Sequence, residues 1–292
     1  MLRVLKTSFY RAVQYMLLST LSFAFMNALV KYLVEYSAFQ LVFFRSIGSL
    51  LITYSFLKAK KISPFGNQKK LLLIRAITGA TSMLLFFWSV HYITIGSAVT
   101  LRYISPIFAA LLAVIWLGEK VKPIQWMFFI LSFYGVYLIK NFDPSDSVLG
   151  IVLVLIAAFF SAIVYILISK IGKRDHPVVV VHYFMAIATL LGGVGSLFYW
   201  TTPTVEDFLL LSSMGFFGYF GQLFMTKAFQ NGEAHMVAPF KYVEVVFTLL
   251  FGVFVLFEEY SAYHLMGTAF VILGLLLNVL YKTQFQKKAK AG

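Results

Sequence analysis

Apolar runs separated by short polar stretches recur ten times along the chain, at residues 12–33, 38–57, 70–91, 96–117, 123–140, 148–171, 178–200, 206–230, 235–257 and 261–281. An α-helix rising ~1.5 Å per residue needs ~20 residues to cross a ~30 Å hydrocarbon layer, and each run is close to that length. The pattern predicts ten membrane-spanning helices. Most links are very short, such as Tyr92 to Ile95 between the third and fourth spans. Links this short force consecutive helices to be antiparallel neighbours. Arg3, Lys6 and Arg11 ahead of the first run imitate a signal peptide. That run is longer than a signal's apolar region and carries Asn27 and Lys31, which predicts a retained span.

Composition turns this pattern into an exclusion. Of 292 residues, 61% are apolar and only 12% charged, against ~25% charged in soluble domains, and mean hydropathy is +0.87. Ten crossings occupy about 210 residues and leave about 80 for links, too few for a soluble catalytic or DNA-binding module. The net charge of +13 does not point to nucleic acid, because it sits in short loops beside apolar spans. Sixteen Lys and Arg residues fall on the N-terminal side, from Arg3 through Lys58, Lys120 and Lys173 to Lys290, and only Lys140 falls opposite. Asp143, Asp146, Glu206, Asp207, Glu258 and Glu259 gather on that opposite side. Positive charge marks the cytoplasmic face, so both termini are expected in the cytoplasm of a multi-pass protein of the inner membrane. The absence of cysteine excludes disulfides, thiolate metal sites and a cysteine nucleophile.

The two halves of the chain register without a gap at an offset of 139 residues. Lys31 falls on Lys170, Pro64 on Pro203, Gly79 on Gly218, Arg102 on Lys241, Tyr103 on Tyr242, Phe108 on Phe247, Glu119 on Glu258 and Gly135 on Gly274. Each half then holds five helices, an odd number, so the second copy enters the membrane from the other side. The predicted fold is an all-α membrane protein of ten transmembrane helices in two inverted five-helix repeats, residues 1–145 and 146–292. Inverted repeats of this kind support inward-open and outward-open states around a site near the midplane, which makes a transporter the leading function.

Three stretches carry a family likeness. The first runs from Gly96-Ser97-Ala98-Val99-Thr100-Leu101 through Arg102-Tyr103-Ile104-Ser105-Pro106-Ile107-Phe108 to Leu117-Gly118-Glu119-Lys120. Its second copy reads Ala238-Pro239-Phe240-Lys241-Tyr242 and ends at Glu258, and Arg75-Ala76-Ile77-Thr78-Gly79 leads into Phe86-Phe87-Trp88. Over essentially the whole chain this resembles the drug/metabolite transporter superfamily, specifically its EamA-like branch. The resemblance implies a carrier whose fourth and ninth helices line the central cavity. It leaves the cargo open, since relatives carry amino acids, nucleotide-like compounds, sugars and other metabolites. Glu258-Glu259 followed by Tyr260 departs from the Gly-Glu-Arg style of ending associated with that branch.

Ionisable side chains inside spans are the candidates for chemistry. Lys31, Lys170 and Lys227 lie near span ends and are expected to anchor at the interface, and Arg75 similarly. Arg45, two turns deep, is balanced between anchoring and function, with Glu35 as a possible counter-ion. Arg102 and Lys241 each sit six residues into a predicted helix, ~9 Å deep. They either snorkel to opposite interfaces or face the cavity. Glu244 is expected ~13 Å deep on the face of Lys241, three residues before it. It is read either as half of an ion pair or as a site carboxylate for an ammonium group or a coupling proton. Thr248 and Gly252 continue its face, as Ser105, Pro106 and Ala109 continue that of Arg102. Tyr103, Tyr242, Trp88, Asn27 and His182 complete the candidate substrate-binding set. Asn27 and Gln222 are equally readable as interhelical glue, and Glu119 and Glu258 as residues that shape hairpins.

An enzyme is not expected. There is no HExxH pair and no G-x-S-x-G turn, and the five histidines do not cluster at ligand spacing. No cofactor or metal is called for. The basic excess around one glutamate favours a small carboxylate-bearing metabolite, such as an amino acid, moved by alternating access with protons or a counter-substrate. Multidrug or lipophilic-cation efflux is the alternative, ahead of a channel or a non-transporting membrane protein. The carrier is expected as a monomer or homodimer in the lipid bilayer.

Overall fold

The structure, a computed structural model, describes residues 2–105, 107, 108, 112, 122–142, 147–231, 240, 241 and 243–289. Ten α-helices run through the described residues: α1 (Leu2–Tyr32), α2 (Ala38–Ala59), α3 (Lys69–Ser89), α4 (Ile95–Arg102), α5 (Pro123–Phe142), α6 (Val148–Ile171), α7 (Pro177–Ser196), α8 (Val205–Asn231), α9 (Val243–Val255) and α10 (Ala262–Ala289). Six of them, α1, α2, α3, α6, α7 and α8, are long and apolar enough among the described residues to cross a membrane.

Helix starts follow local chemistry. Ser37 accepts from the Gln40 N–H ahead of α2, and Thr94 from the Ser97 N–H ahead of α4. Ser147 accepts from the Leu149 N–H, and Pro177 opens α7 behind the His176 cap. Each cap satisfies an amide that the helix itself leaves free.

Hydrogen bonds sort the links into two sets, one at each end of the bundle. At the acidic end, Tyr36 donates to Asp207, Gln40 donates to the Thr201 carbonyl, and the Ser147 N–H donates to the Tyr92 carbonyl. At the lysine-rich end, buried Asp175 accepts from the Asn67 and Gln68 amides, and Gln230 donates to the Gly172 carbonyl. These sets are the two sides that the charge count separates.

Helix pairing shows the duplication directly. Exchanging α1–α5 for α6–α10 maps α1 against α8 onto α6 against α3, α2 against α8 onto α7 against α3, and α1 against α9 onto α6 against α4. The pairs α2–α7, α4–α9 and α5–α10 map onto themselves. The halves therefore pack face to face about a pseudo-twofold axis, as inverted repeats must. In lipid, helix association depends on close packing rather than on water exclusion. At the α2–α8 crossing Gly48 and Gly215 bring the backbones into contact. A Cβ on Gly48 would stand 2.9 Å from the Gly215 Cα.

The predicted spans are correct except around the fourth and ninth. The fourth was expected to run unbroken over 96–117, but α4 ends at Arg102, and Tyr103 and Ile104 form a turn before helical backbone resumes at Ser105. The Tyr103 and Ile104 amides reach the carbonyls of Thr100 and Leu101 three residues back. Pro106 has no N–H to offer the Arg102 carbonyl, which is a chemical reason for the break. In the second copy Phe240 and Lys241 lie in a 3₁₀ turn and α9 begins at Val243. Lys241 therefore precedes its helix instead of lying six residues inside it, and Glu244 occupies the first turn.

Candidate functional site

Between the halves lies a pocket of roughly 530 Å³, the open space at its mouth included. Apart from Lys241, its walls come from α1 (Phe23, Met26), α2 (Arg45), α3 (Arg75, Gly79, Ser82, Met83, Phe87), α4 (Arg102), α6 (Ser161, Val164, Tyr165), α7 (Phe184) and α8 (Gln222, Met225). Among the described residues four cations line it, and no carboxylate does. Broken helices at membrane depth are tolerated where they line such a cavity.

Glu244 stands behind this wall, fully buried. Its Oε1 accepts from Asn27 Nδ2 at 3.0 Å and faces the Arg102 guanidinium at 3.6 Å, and its Oε2 accepts from the Tyr103 hydroxyl at 2.6 Å. Sequence reasoning offered Lys241 as a partner one turn away, but the partner is Arg102 from the other half. The physical reason is that Lys241 lies ahead of α9, off the helical face of Glu244. The placement is favourable, since an anion at a helix N-terminus and a cation at a helix C-terminus both complement the backbone dipoles. Arg102 also lies over the Phe86 ring at 4.0 Å. Lys241 is buried and donates to the Tyr165 hydroxyl at 3.1 Å, with the Tyr103 ring 5.0 Å away. Neither cation snorkels to an interface.

Arg45 and Arg75 depart most from expectation. Arg75 was expected to anchor at the interface, yet it is 1% exposed, donates to Gln222 Oε1 at 3.1 Å and covers the Phe184 ring at 4.3 Å. Its helix lies against α6 and α7, and there the guanidinium points into the bundle. Arg45 is 2% exposed, between the rings of Phe87 and Phe184 at 5.7 and 5.8 Å, while Glu35 is exposed elsewhere. Gly79 and Gly218, equivalent positions of the repeat, make the room. A Cβ on Gly79 would meet Arg75 Nη1 at 3.0 Å, and one on Gly218 would meet Arg45 Nε at 2.9 Å. That repeated glycine is the sequence signal that could have drawn attention to these arginines. Tyr165, Phe184 and Phe87 had no signal beyond being aromatic.

The remaining candidates separate. Asn27 and Tyr103 belong to the Glu244 cluster. Trp88 is 41% exposed and absent from the cavity wall. His182 is half-buried between α2 and α7, where its Nδ1 meets the Thr53 hydroxyl at 3.0 Å. Tyr242, Pro106, Ala109 and Glu119 lie outside the described residues. Thr248 and Gly252 are buried on the Glu244 face, as the stripe predicted. Lys170 is exposed, and Lys227 lies 5.5 Å from the Tyr15 ring. Lys31 is no lipid anchor. It donates to the Val90 and Ile93 carbonyls and faces Glu258 at 3.9 Å. Glu258 in turn accepts from the Ile95 N–H at the start of α4 and from the Tyr260 hydroxyl. Together they latch α1, α3, α4 and the α9–α10 link at the acidic end.

Ten helices in two inverted halves around a charged intramembrane cavity define a secondary carrier rather than an enzyme. Residues 10–140 and 148–280 each match the EamA-like transporter family. The chain belongs to that family and is a multi-pass membrane transporter of small metabolites. It is 30% identical to a pseudopaline exporter of Pseudomonas aeruginosa, over 80% of this chain and 84% of that protein. It is 26% identical to a riboflavin transporter of Vibrio cholerae, over 94% and 93%. It is 25% identical to an S-adenosylmethionine uptake transporter of Rickettsia prowazekii, over 98% and 97%. These relatives differ in cargo, and one is named for export while another is named for uptake. A solved crystal structure matches the fold with a TM-score of 0.69 at 13% identity, covering 96% of this chain and 99% of that one.

Proposed function

We propose that this carrier moves a small carboxylate-bearing metabolite, an amino acid or other organic acid, across the cytoplasmic membrane by alternating access. The observation that carries the reading is the cavity lined by Arg45, Arg75, Arg102 and Lys241, with no lining carboxylate among the described residues. Such a site attracts anions and repels lipophilic cations, which argues against multidrug efflux. In this reading the halves, residues 1–145 and 146–292, rock about the cavity, with both termini in the cytoplasm of an inner-membrane protein.

Arg102 and Lys241 attract the substrate's anionic group, and the Tyr165 hydroxyl adds a hydrogen bond. Glu244, with Asn27 and Tyr103, holds Arg102 in place. A proton on Glu244 would release Arg102 from its ion pair, giving a route by which a proton gradient couples to anion binding. Exchange against a counter-substrate needs no such step.

The test is uptake by the purified protein in liposomes offered a mixed metabolite pool, read by mass spectrometry with and without a proton gradient. Selective entry of organic or amino acids is the expected result, and entry of lipophilic cations in their place overturns it. Lys241→Gln is expected to abolish transport without loss of folded yield, and Arg102→Gln to abolish it with a lowered unfolding temperature, because it leaves Glu244 buried without its counter-ion. Wild-type activity in both rejects their role. If transport is proton-coupled, Glu244→Gln loses acceleration by the gradient while retaining exchange.

A further inference from the structure

The four cavity cations form two groups. Arg102 and Lys241 meet around Tyr103, Tyr165 and Glu244. Arg45 and Arg75 meet on the Phe184 ring, with Gln222 accepting one N–H of Arg75. Among the described residues, Arg102 alone of the four has a counter-ion. Among the described residues no carboxylate oxygen stands within the 4.0 Å of an ion pair from Arg45, Arg75 or Lys241, the ion pairs being Lys31–Glu258 and Arg102–Glu244. Arg45 Nε, Arg75 Nε and Arg75 Nη1 are buried without a hydrogen-bond partner there.

A buried cation without a counter-charge is costly, and aromatic faces return only part of the cost. The repeat register adds a second distinction. Arg102 and Lys241 are equivalent positions, but Arg45 falls on Phe184 and Arg75 on Met214. The first group belongs to both halves, whereas the second is an addition to one half that the other does not repeat. An added and unneutralised pair of guanidiniums facing a cavity suits an anion, since the parallel N–H groups of a guanidinium match the two oxygens of a carboxylate.

Resting on the reading of the chain as an organic-acid carrier, we infer that its substrate bears at least two carboxylates. One sits at Arg102, Lys241 and Tyr165, and the other at Arg45, Arg75 and Gln222. A phosphate monoester, with its charge on a single group, fills one subsite only.

The experiment measures uptake of radiolabelled succinate, glutarate and citrate by the reconstituted protein beside lactate, alanine and glycerol 3-phosphate, with thermal unfolding in the same ligands. Saturable uptake of a di- or tricarboxylate, at least about tenfold tighter than lactate, is expected. Arg45→Gln and Arg75→Gln raise the half-saturating concentration by about tenfold to a hundredfold, the usual consequence of losing a charge-assisted hydrogen bond. Arg75→Lys restores part of the loss. Should either glutamine variant fail to fold, Gln222→Ala, which removes an acceptor of Arg75 while both guanidiniums stay, is expected to weaken dicarboxylate uptake more than lactate uptake. Equal uptake of lactate and succinate, preference for glycerol 3-phosphate, or unaltered affinity in these variants overturns the second subsite and leaves the carrier reading standing. If nothing enters from these compounds or from the full metabolite pool, the carrier reading falls, and this inference with it.

Discussion

Glu244 gathers three partners from two segments onto one buried carboxylate: Asn27 of α1, and Arg102 and Tyr103 at the end of α4. Each hydrogen bond to a charged group is worth about 1.5–3 kcal/mol, so Tyr103→Phe and Asn27→Ala are each expected to cost about that much. Glu244→Ala leaves the partly buried Arg102 unpaired, and a loss of up to about 3 kcal/mol is expected. Thermal unfolding of the detergent-solubilised variants checks the order, and the double variant Asn27→Ala with Tyr103→Phe should fall short of additivity because both act on one acceptor. At this scale the sequence was legible where the charge was rare. A lone intramembrane carboxylate and a cation repeated at the same register stand out in any reading. Arg45 and Arg75 did not, because depth along a helix says nothing about which way the helix faces. Only the packing of α2 against α7 and α8, and of α3 against α6 and α7, turns those two side chains inward.

Between elements, the acidic end is held by a latch in which Lys31 and Glu258 join four segments. Glu258→Ala removes a charge-assisted acceptor, which shifts the closed state by about tenfold or more. The native chain has no cysteine, so a single Met83→Cys reporter in the cavity wall suits the measurement. Labelling by an impermeant maleimide added from the acidic side is expected to rise about tenfold with Glu258→Ala, and unchanged labelling would show that the latch does not limit access. At the α2–α8 crossing, Gly215→Ala puts a Cβ 2.7 Å from the Gly48 Cα. Overpacking of that kind costs about 1–3 kcal/mol and should lower the unfolding temperature. Helix number and order were legible from apolar periodicity, because a span must be long and apolar whatever surrounds it. The breaks at Tyr103 and before Val243 were not, since apolar letters continue through them. Pro106 marks the first of them, through the backbone hydrogen bond that it cannot make.

For the whole molecule, duplication was legible from eight polar, glycine, proline and aromatic matches at one offset, and the symmetric helix pairing follows from it. What the repeat could not foretell is how the halves differ at the centre, where Arg45 in one faces Phe184 in the other. Four cations around the cavity against the one carboxylate of Glu244 leave an excess of three positive charges when the cavity is empty. A membrane potential acts on that excess. One elementary charge carried across a full 100 mV is worth about 2.3 kcal/mol, and a substrate with two negative charges cancels most of the excess on the loaded leg of the cycle. The empty carrier's return is then the voltage-sensitive step. Net uptake into liposomes is expected to change with a potassium diffusion potential, while exchange of labelled for unlabelled substrate, which never passes through the empty form, should be nearly indifferent to it.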